Sequence, residues 1–112
     1  MTVIDMSKAL SHLRLESDTP DHTLVKDKLE EAEYLAMRYI NRRFYPDETA
    51  LKQARDSGEA NHHDVVINPN IRAGVLFILA HLYEHRGDEG GVDIPLSALT
   101  TLNLERNMKN WG

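Results

Sequence analysis

The stretch of sequence that decides the fold is residues 68–87, NPNIRAGVLFILAHLYEHRG. Asn68 is a preferred helix cap, Pro69 suits the first helical position, and Gly87 suits a left-handed stop. We therefore predict a helix over residues 69–86. Its principal apolar stripe recurs at helical spacing and consists of Ile71, Val75, Ile78, Leu79 and Leu82. A second apolar strip on the opposite side gives the helix two faces to cover, and this strip consists of Ala73, Phe77 and Ala80.

Length, charge and composition exclude several classes of protein. A chain of 112 residues is one domain, which buries roughly two-thirds of the surface that its unfolded form exposes. The net charge of -5 and the isoelectric point near 5.6 argue against a protein that grips nucleic acid by its phosphates. The absence of cysteine excludes disulfides and thiolate metal sites. No apolar run approaches the roughly 18 residues of a membrane span and no leader opens the chain, so we expect a soluble intracellular protein.

Two further helices are predicted before the middle of the chain. Asp5 or Ser7 caps a short first helix that ends near residue 14 or 15. Thr19 and Pro20 open a long second helix, which we expect to end near Arg43. Its buried stripe consists of Val25, Leu29, Ala32, Leu35, Ala36, Tyr39 and Ile40. Its charges suit the helix dipole, with acidic side chains first and basic ones last: Asp27, Glu30, Glu31, Glu33, Arg38, Arg42 and Arg43.

The remaining segments complete an all-helical prediction. Residues 47–56 form a short helix, residues 57–64 a polar loop, and residues 65–67 an extended piece, half of a small hairpin. After Pro95 a final helix has Leu96, Leu99 and Leu102 as its apolar positions. The fold class is therefore all-α, a small bundle of about four to five helices with a long second helix and a buried central helix. Residues 1–112 form a single domain, and we expect the polar tail 103–112 to be flexible.

Two apolar surfaces are candidates for contacts between subunits. Tyr34 and Met37 lie opposite the buried stripe of the second helix, among charged neighbours, where a monomer gains little from them. An equally good interpretation is that they are two apolar residues scattered on a surface. The strip around Phe77 faces either a second subunit or other helices of its own bundle, and burial within the bundle is the stronger interpretation.

One short motif is shared with a class of zinc enzymes. His81, Glu84 and His85 spell H-x-x-E-H, in which two histidines one turn apart bind metal and the glutamate activates water. Glu84, however, lies on the far side of the core stripe, and the short remainder of the chain must supply both a third ligand and a cleft. His62 and His63 lie in a polar loop without a ligand set. We therefore expect no enzyme activity, no metal and no cofactor, and a zinc hydrolase remains the less favoured alternative.

Two segments resemble the small head-tail connector proteins of long-tailed phages and prophages. Residues 8–15, KALSHLRL, are similar to that family's opening K-A-H-L-R helix with one extra residue, and an acidic loop and a long helix rich in alanine and glutamate follow. Residues 68–86 resemble the family's P-x-I-K-x-A-I-L-x-L-V-A-H-L-Y-E-N-R, with His85 where asparagine is commoner. Pro95 and a C-terminal helix follow in the family's order. The chain departs from the family in its 47–64 insertion and after Leu99, where the usual L-L-x-P-Y-R ending is not found.

The resemblance implies an all-helical bundle with a structural function. Copies assemble into a homo-oligomeric ring, expected to be twelve-fold, beneath the portal of the filled head. The ring extends the DNA channel, lets the genomic DNA pass without sequence-specific binding, and docks the stopper or tail-completion protein. The implied partners are therefore other copies, the portal protein and the stopper, with no membrane. The implied location is the head-tail junction of the virion, and the host cytoplasm during assembly.

The residues predicted for these contacts form two sets. A ring of head-to-tail contacts needs two different patches on each subunit. The candidates for the contact between copies are Tyr34, Met37, Ala73, Phe77 and Ala80. The candidates for docking on the portal are Leu99, Leu102, Leu104, Met108 and Trp111. The main alternative is a small helical adaptor or regulatory module that binds one partner peptide.

Overall fold

The all-α prediction is confirmed, with one small two-stranded sheet as the exception. The structure, a computed structural model, describes residues 2–87 and 94–106. Among the described residues there are five helices: α1 (Met6–His12), α2 (His22–Ile40), α3 (Glu48–Asp56), α4 (Pro69–Glu84) and α5 (Leu96–Asn103). The two short strands are β1 (Phe44–Tyr45) and β2 (Val65–Val66). None of the described helices is long and apolar enough to cross a bilayer.

Helix α4 is the centre of the bundle and contacts α1, α2 and α5. The predicted cap is present, because the Asn68 side chain accepts a hydrogen bond from the Ile71 amide at 2.8 Å. All five residues of the predicted principal stripe are buried. Helix α5 approaches α4 closely at Gly74, where a Cβ atom would lie 2.5 Å from the side chain of Leu102. Glycine at this position therefore sets the distance between the two helices.

The long second helix is shorter than predicted at both ends. It begins at His22 and ends at Ile40, followed by Asn41 in the left-handed conformation with φ 57°. The Arg43 amide donates to Oδ1 of Asp64 at 2.8 Å, and the chain then enters β1. The predicted end at Arg43 is wrong because this bond and the sheet hold the residue in an extended segment.

The predicted extended piece at residues 65–67 is present as β2, but its assignment to a hairpin is wrong. Strand β2 pairs with β1 in parallel, with Phe44 opposite Val65 and Tyr45 opposite Val66. Helix α3 lies between the two strands and provides the crossover that parallel strands require. Asp47 caps α3 by accepting from the Ala50 amide at 2.8 Å.

Of the three apolar positions predicted for the last helix, Leu102 is buried, Leu99 is half-buried and Leu96 is exposed. Leu96 is 77% exposed, whereas Ala98 and Leu102 are fully buried. These two residues are one turn apart, so they form a single line against α4. Leu102 packs against Gly74 and belongs to the core. The prediction that Leu102 docks on a portal is therefore wrong, because a fully buried side chain offers no surface to a partner.

Candidate protein interaction surfaces

A groove beside the C-terminal end of α2 brings together one of the predicted contact pairs. It has a volume of about 450 Å³ and contains both Tyr34 and Met37. Tyr34 is 59% exposed, and Met37 is half-buried at the edge of the core. The full set of lining residues is Tyr34, Met37, Arg38, Asn41, Arg42, Arg43, Glu59, Asn61 and Asp64.

One wall of this groove is held in place by a buried carboxylate. Asp64 is only 4% exposed, and its Oδ1 accepts from the Arg43 amide at 2.8 Å while its Oδ2 accepts from the Asn61 amide at 3.0 Å. The guanidinium of Arg55 donates to the Asp64 carbonyl oxygen at 3.0 Å. These bonds tie the loop before β2 to the end of α2 and to α3. Hydrogen bonds to a charged carboxylate or guanidinium are stronger than those between neutral groups, so these bonds hold this part of the groove rigidly.

Arg42, another lining residue of the groove, joins three parts of the chain. Its Nε donates to the carbonyl oxygen of Glu105 at 2.9 Å, and its Nη1 donates to that of His63 at 3.0 Å. The carboxylate of Glu105 accepts in turn from Asn68 at 2.7 Å and from Asn70 at 3.3 Å. The residues after α5 are thereby fixed to the segment that follows α2 and to the start of α4. The sequence analysis missed this role of Glu105, because its partners are distant in the chain.

The groove is lined by three arginines and two carboxylates, so it carries one net positive charge on a chain that is acidic as a whole. The guanidinium of Arg38 lies 5.8 Å from the centre of the Tyr34 ring, and that of Arg43 donates to the Glu59 carbonyl oxygen at 3.2 Å. Both contacts, like those of Arg42, are with neutral groups. Tyrosine, methionine and arginine are the residue types enriched at protein interfaces. The groove is therefore suited to an acidic protein surface that carries an apolar side chain.

The second predicted contact surface is the outer strip of α4. Phe77 is 37% exposed, and Ala73 and Ala80 on either side of it are half-buried. The small side chains leave room beside the ring, so a partner side chain can pack against the helix backbone there. The strip and the groove belong to different helices, which is the arrangement that two separate contact patches require.

Only part of the predicted portal-docking set is accessible. Leu104 is 80% exposed and Leu99 is half-buried, while Leu102 belongs to the core as described above. Met108 and Trp111 lie outside the described residues. The two neighbours of Leu104 are both held by hydrogen bonds, since Asn103 accepts from the Tyr39 hydroxyl at 3.3 Å and Glu105 takes part in the network around Arg42. Leu104 is therefore an exposed apolar side chain on a fixed support.

Glu33 is a buried carboxylate that the sequence pattern placed only among the charges that suit the dipole of α2. It is 5% exposed, and its two oxygens accept from the amides of Val3 and Ile4 at 2.8 to 2.9 Å. Burial raises the pKa of Glu33, and the two backbone hydrogen bonds oppose that shift. The helical spacing of Glu33 from Leu29 and Ile40 could have identified it as facing the core. Its function is to hold the chain before α1 on the bundle.

The H-x-x-E-H residues do not converge with other ligands in the part of the chain that the structure describes. The rings of His81 and His85 are 4.4 Å apart, as expected for side chains one turn apart, and Glu84 is exposed. No group of three or more histidine, aspartate or glutamate side chains among the described residues is placed to hold a metal ion. That zinc is not needed stays a prediction.

The described surface thus offers protein contacts: a basic groove with Tyr34, a strip around Phe77 and the exposed Leu104. Comparisons of the chain with known protein families, with curated proteins and with solved structures found no match. A proposal of function therefore depends on these surfaces and on the order of the sequence segments.

Proposed function

We propose that this chain is a structural virion protein, a head-tail connector that forms a ring beneath the portal. The observation that carries the proposal is the resemblance of residues 8–15 and 68–86, in order, to that family. These segments include most of α1 and all of α4, which pack against each other in the bundle. In this proposal the ring extends the DNA channel and docks the stopper or tail-completion protein.

Two separate patches on each subunit support a ring. A closed ring of identical copies uses heterologous contacts, in which one patch of each copy binds a different patch of the next. The groove at Tyr34 and Met37 is one candidate patch, and the strip of Ala73, Phe77 and Ala80 is the other. In this proposal the Phe77 ring of one copy packs against Tyr34 and Met37 of the next.

The charge of the chain supports a channel through which DNA passes. A formal net charge of -5 on each copy gives a ring a negative field, which repels the phosphates of the passing duplex. A basic surface would retain the DNA instead. In this proposal the three groove arginines are covered by the neighbouring copy, so that they do not face the channel.

The exposed Leu104 supports a docking surface for the portal at the end of the chain. Its neighbours Asn103 and Glu105 are fixed to α2 and α4, so little conformational entropy is lost when a partner covers the side chain. In this proposal Leu99, Met108 and Trp111 extend the same surface. The centre of a protein interface often consists of one or two large apolar side chains that fill pockets of the partner, and Leu104 and Trp111 are proposed for that role.

Electron microscopy of the purified protein at high concentration tests the ring. We expect ring-shaped particles with a central opening, because assembly of many copies rises steeply with concentration. Micrographs and mass measurements that show only monomers and dimers at every concentration would contradict self-assembly into a ring. Such a result would favour the alternative function described next.

A small adaptor that binds one acidic peptide is the second candidate function. The groove of about 450 Å³ favours it, because its arginines and Tyr34 could bind an acidic segment with one apolar side chain. Mass measurement in solution separates the two functions. An adaptor stays monomeric and binds one peptide per chain, whereas a connector assembles.

A further inference from the structure

One exposed line of side chains runs along α2 opposite its buried face. Asp27, Glu31, Tyr34 and Arg38 follow one another at intervals of four, three and four residues, which is the spacing of a single helix face. All four are exposed, and the core residues of α2 lie on the other side of the helix. We call these four residues the α2 ridge.

The α2 ridge is complementary to itself when two copies run antiparallel. Its order is acid, acid, aromatic and base, so reversal of one copy brings Glu31 opposite Arg38 of the other. By symmetry Arg38 of the first copy faces Glu31 of the second, so one charge pair lies on either side of the two-fold axis. The two Tyr34 rings then meet near the middle.

We propose that the free protein forms a two-fold pair through the α2 ridge, with a second copy of this chain as the partner. Two observations favour a second copy over a foreign protein. The ridge itself contains both charges that the contact needs, and the exposed tyrosine lies between them. In a two-fold pair every favourable contact occurs twice, which makes this symmetry the commonest among dimers. The acidic whole chain opposes association at long range, so the contact depends on this local complementarity.

The pair is weak because one helix ridge is a small surface. Stable interfaces bury about 800 Å² on each partner, which one exposed face of a single helix does not reach. We expect a dissociation constant on the order of 1 mM. The pair and the proposed ring contact both cover Tyr34, so only copies that are not assembled in a ring can form the pair. The pair goes beyond the connector proposal and does not depend on it.

The absence of cysteine from the chain allows a direct test by cross-linking. A mixture of Glu31→Cys and Arg38→Cys in a glutathione redox buffer should give a disulfide-linked dimer containing one copy of each. In that mixed dimer the unaltered Arg38 of one copy still faces the unaltered Glu31 of the other, so one of the two charge pairs is kept. The matched control is a mixture of Thr49→Cys and Asp56→Cys, which are exposed positions with the same spacing on α3. Cross-linking no greater than in the control would overturn the proposal.

The double variant Glu31→Cys with Arg38→Cys reports the symmetry of the contact. The two positions lie about 10 Å apart along the helix, too far for a disulfide within one chain. A two-fold pair closes two disulfides in one dimer, so we expect dimers alone. A ladder of larger species would mean that the ridge makes a head-to-tail contact, which overturns the two-fold pair and leaves the connector proposal standing.

Charge reversal provides an independent readout in sedimentation equilibrium. Glu31→Arg and Arg38→Glu should each weaken pairing by about tenfold or more, because like charges then face each other. The double variant Glu31→Arg with Arg38→Glu should pair about as well as the unaltered protein. Lys52→Glu, an exposed change on α3 of the same charge difference as Arg38→Glu, is the control. Equal pairing in all variants, or no recovery in the double variant, would overturn the proposal.

Discussion

The side chain of Asn68 donates from Nδ2 to Oε1 of Glu105 at 2.7 Å, while its Oδ1 caps α4 through the Ile71 amide. One residue therefore begins the central helix and also fixes the segment after α5. The proposed docking residue Leu104 lies next to this bond in the chain. The bond thus connects the core of the bundle with the surface that we assign to the portal.

Two substitutions at Asn68 separate its two interactions. Asn68→Ser keeps a capping oxygen and loses the donor to Glu105, whereas Asn68→Asp keeps the cap and places a second carboxylate beside Glu105. We expect Asn68→Ser to lower the free energy of unfolding by about 1 kcal/mol and Asn68→Asp to lower it further near neutral pH. Urea denaturation measures both, and equal stability of the two variants would contradict repulsion at Glu105.

The buried carboxylate of Glu33 predicts a particular dependence of stability on pH. Burial raises its folded-state pKa above the ordinary value of 4.5, so the folded protein holds the proton more tightly than the unfolded chain. Relative to Glu33→Gln, the unaltered protein should be most stable below pH 4.5 and lose stability as the pH rises through the folded pKa. Urea denaturation at a series of pH values checks this. Glu31→Gln, exposed on the same helix, is the control. If the unaltered protein instead gained stability over Glu33→Gln as the pH rises, the pKa of Glu33 would be lowered and the account would be contradicted.

Gly74 tests the close packing of α4 and α5. In Gly74→Ala the new methyl group would lie 2.5 Å from Leu102, which is fully buried and has little room to move. We expect the free energy of unfolding to fall by about 1–3 kcal/mol. Gly87→Ala is the control, because no heavy atom lies within 4 Å of the added Cβ. If Gly74→Ala were as stable as Gly87→Ala, the two helices would be further apart than described.

Leu102 and Leu104 separate core packing from docking. Leu102→Ala should cost about 2–5 kcal/mol, as truncation of a fully buried leucine does. Leu104→Ser should change stability by less than about 0.5 kcal/mol, because the side chain is 80% exposed. In the connector proposal Leu104→Ser nevertheless reduces the joining of heads to tails. Thermal unfolding and counts of joined particles measure the two effects, and normal joining by Leu104→Ser would remove this residue from the docking surface.

Local patterns predicted where α4 begins and which face it buries, but the predicted left-handed stop at Gly87 is wrong, because α4 ends at Glu84 and Gly87 has no positive φ. Asn68 is a cap that the sequence predicted, and the stripe of α4 followed from its spacing. The end of α2 could not be predicted in the same way, because Arg43 is extended by a bond to Asp64, 21 residues away. The parallel sheet likewise depends on the path of α3. The exposure of Leu96 depends on the position of α5, which is set by its close approach to α4 at Gly74.

The candidate surfaces were predicted only in part, because they too depend on contacts between residues distant in the chain. Tyr34 and Met37 stood out because they lie opposite a buried stripe, and the structure brings them into one groove. The arginines of that groove were interpreted only as charges at a helix end. The placement of Arg42 follows from its bonds to the carbonyl oxygens of His63 and Glu105, which no local pattern encodes.

Electron microscopy of particles made without this chain tests the connector proposal most directly. The gene would be deleted from the phage or prophage genome that, in this proposal, carries it, and restored from a plasmid as the control. The proposal predicts DNA-filled heads and finished tails that remain separate in the deletion strain, with joined particles in the control. Heads joined normally to tails in the absence of the chain would contradict the proposal.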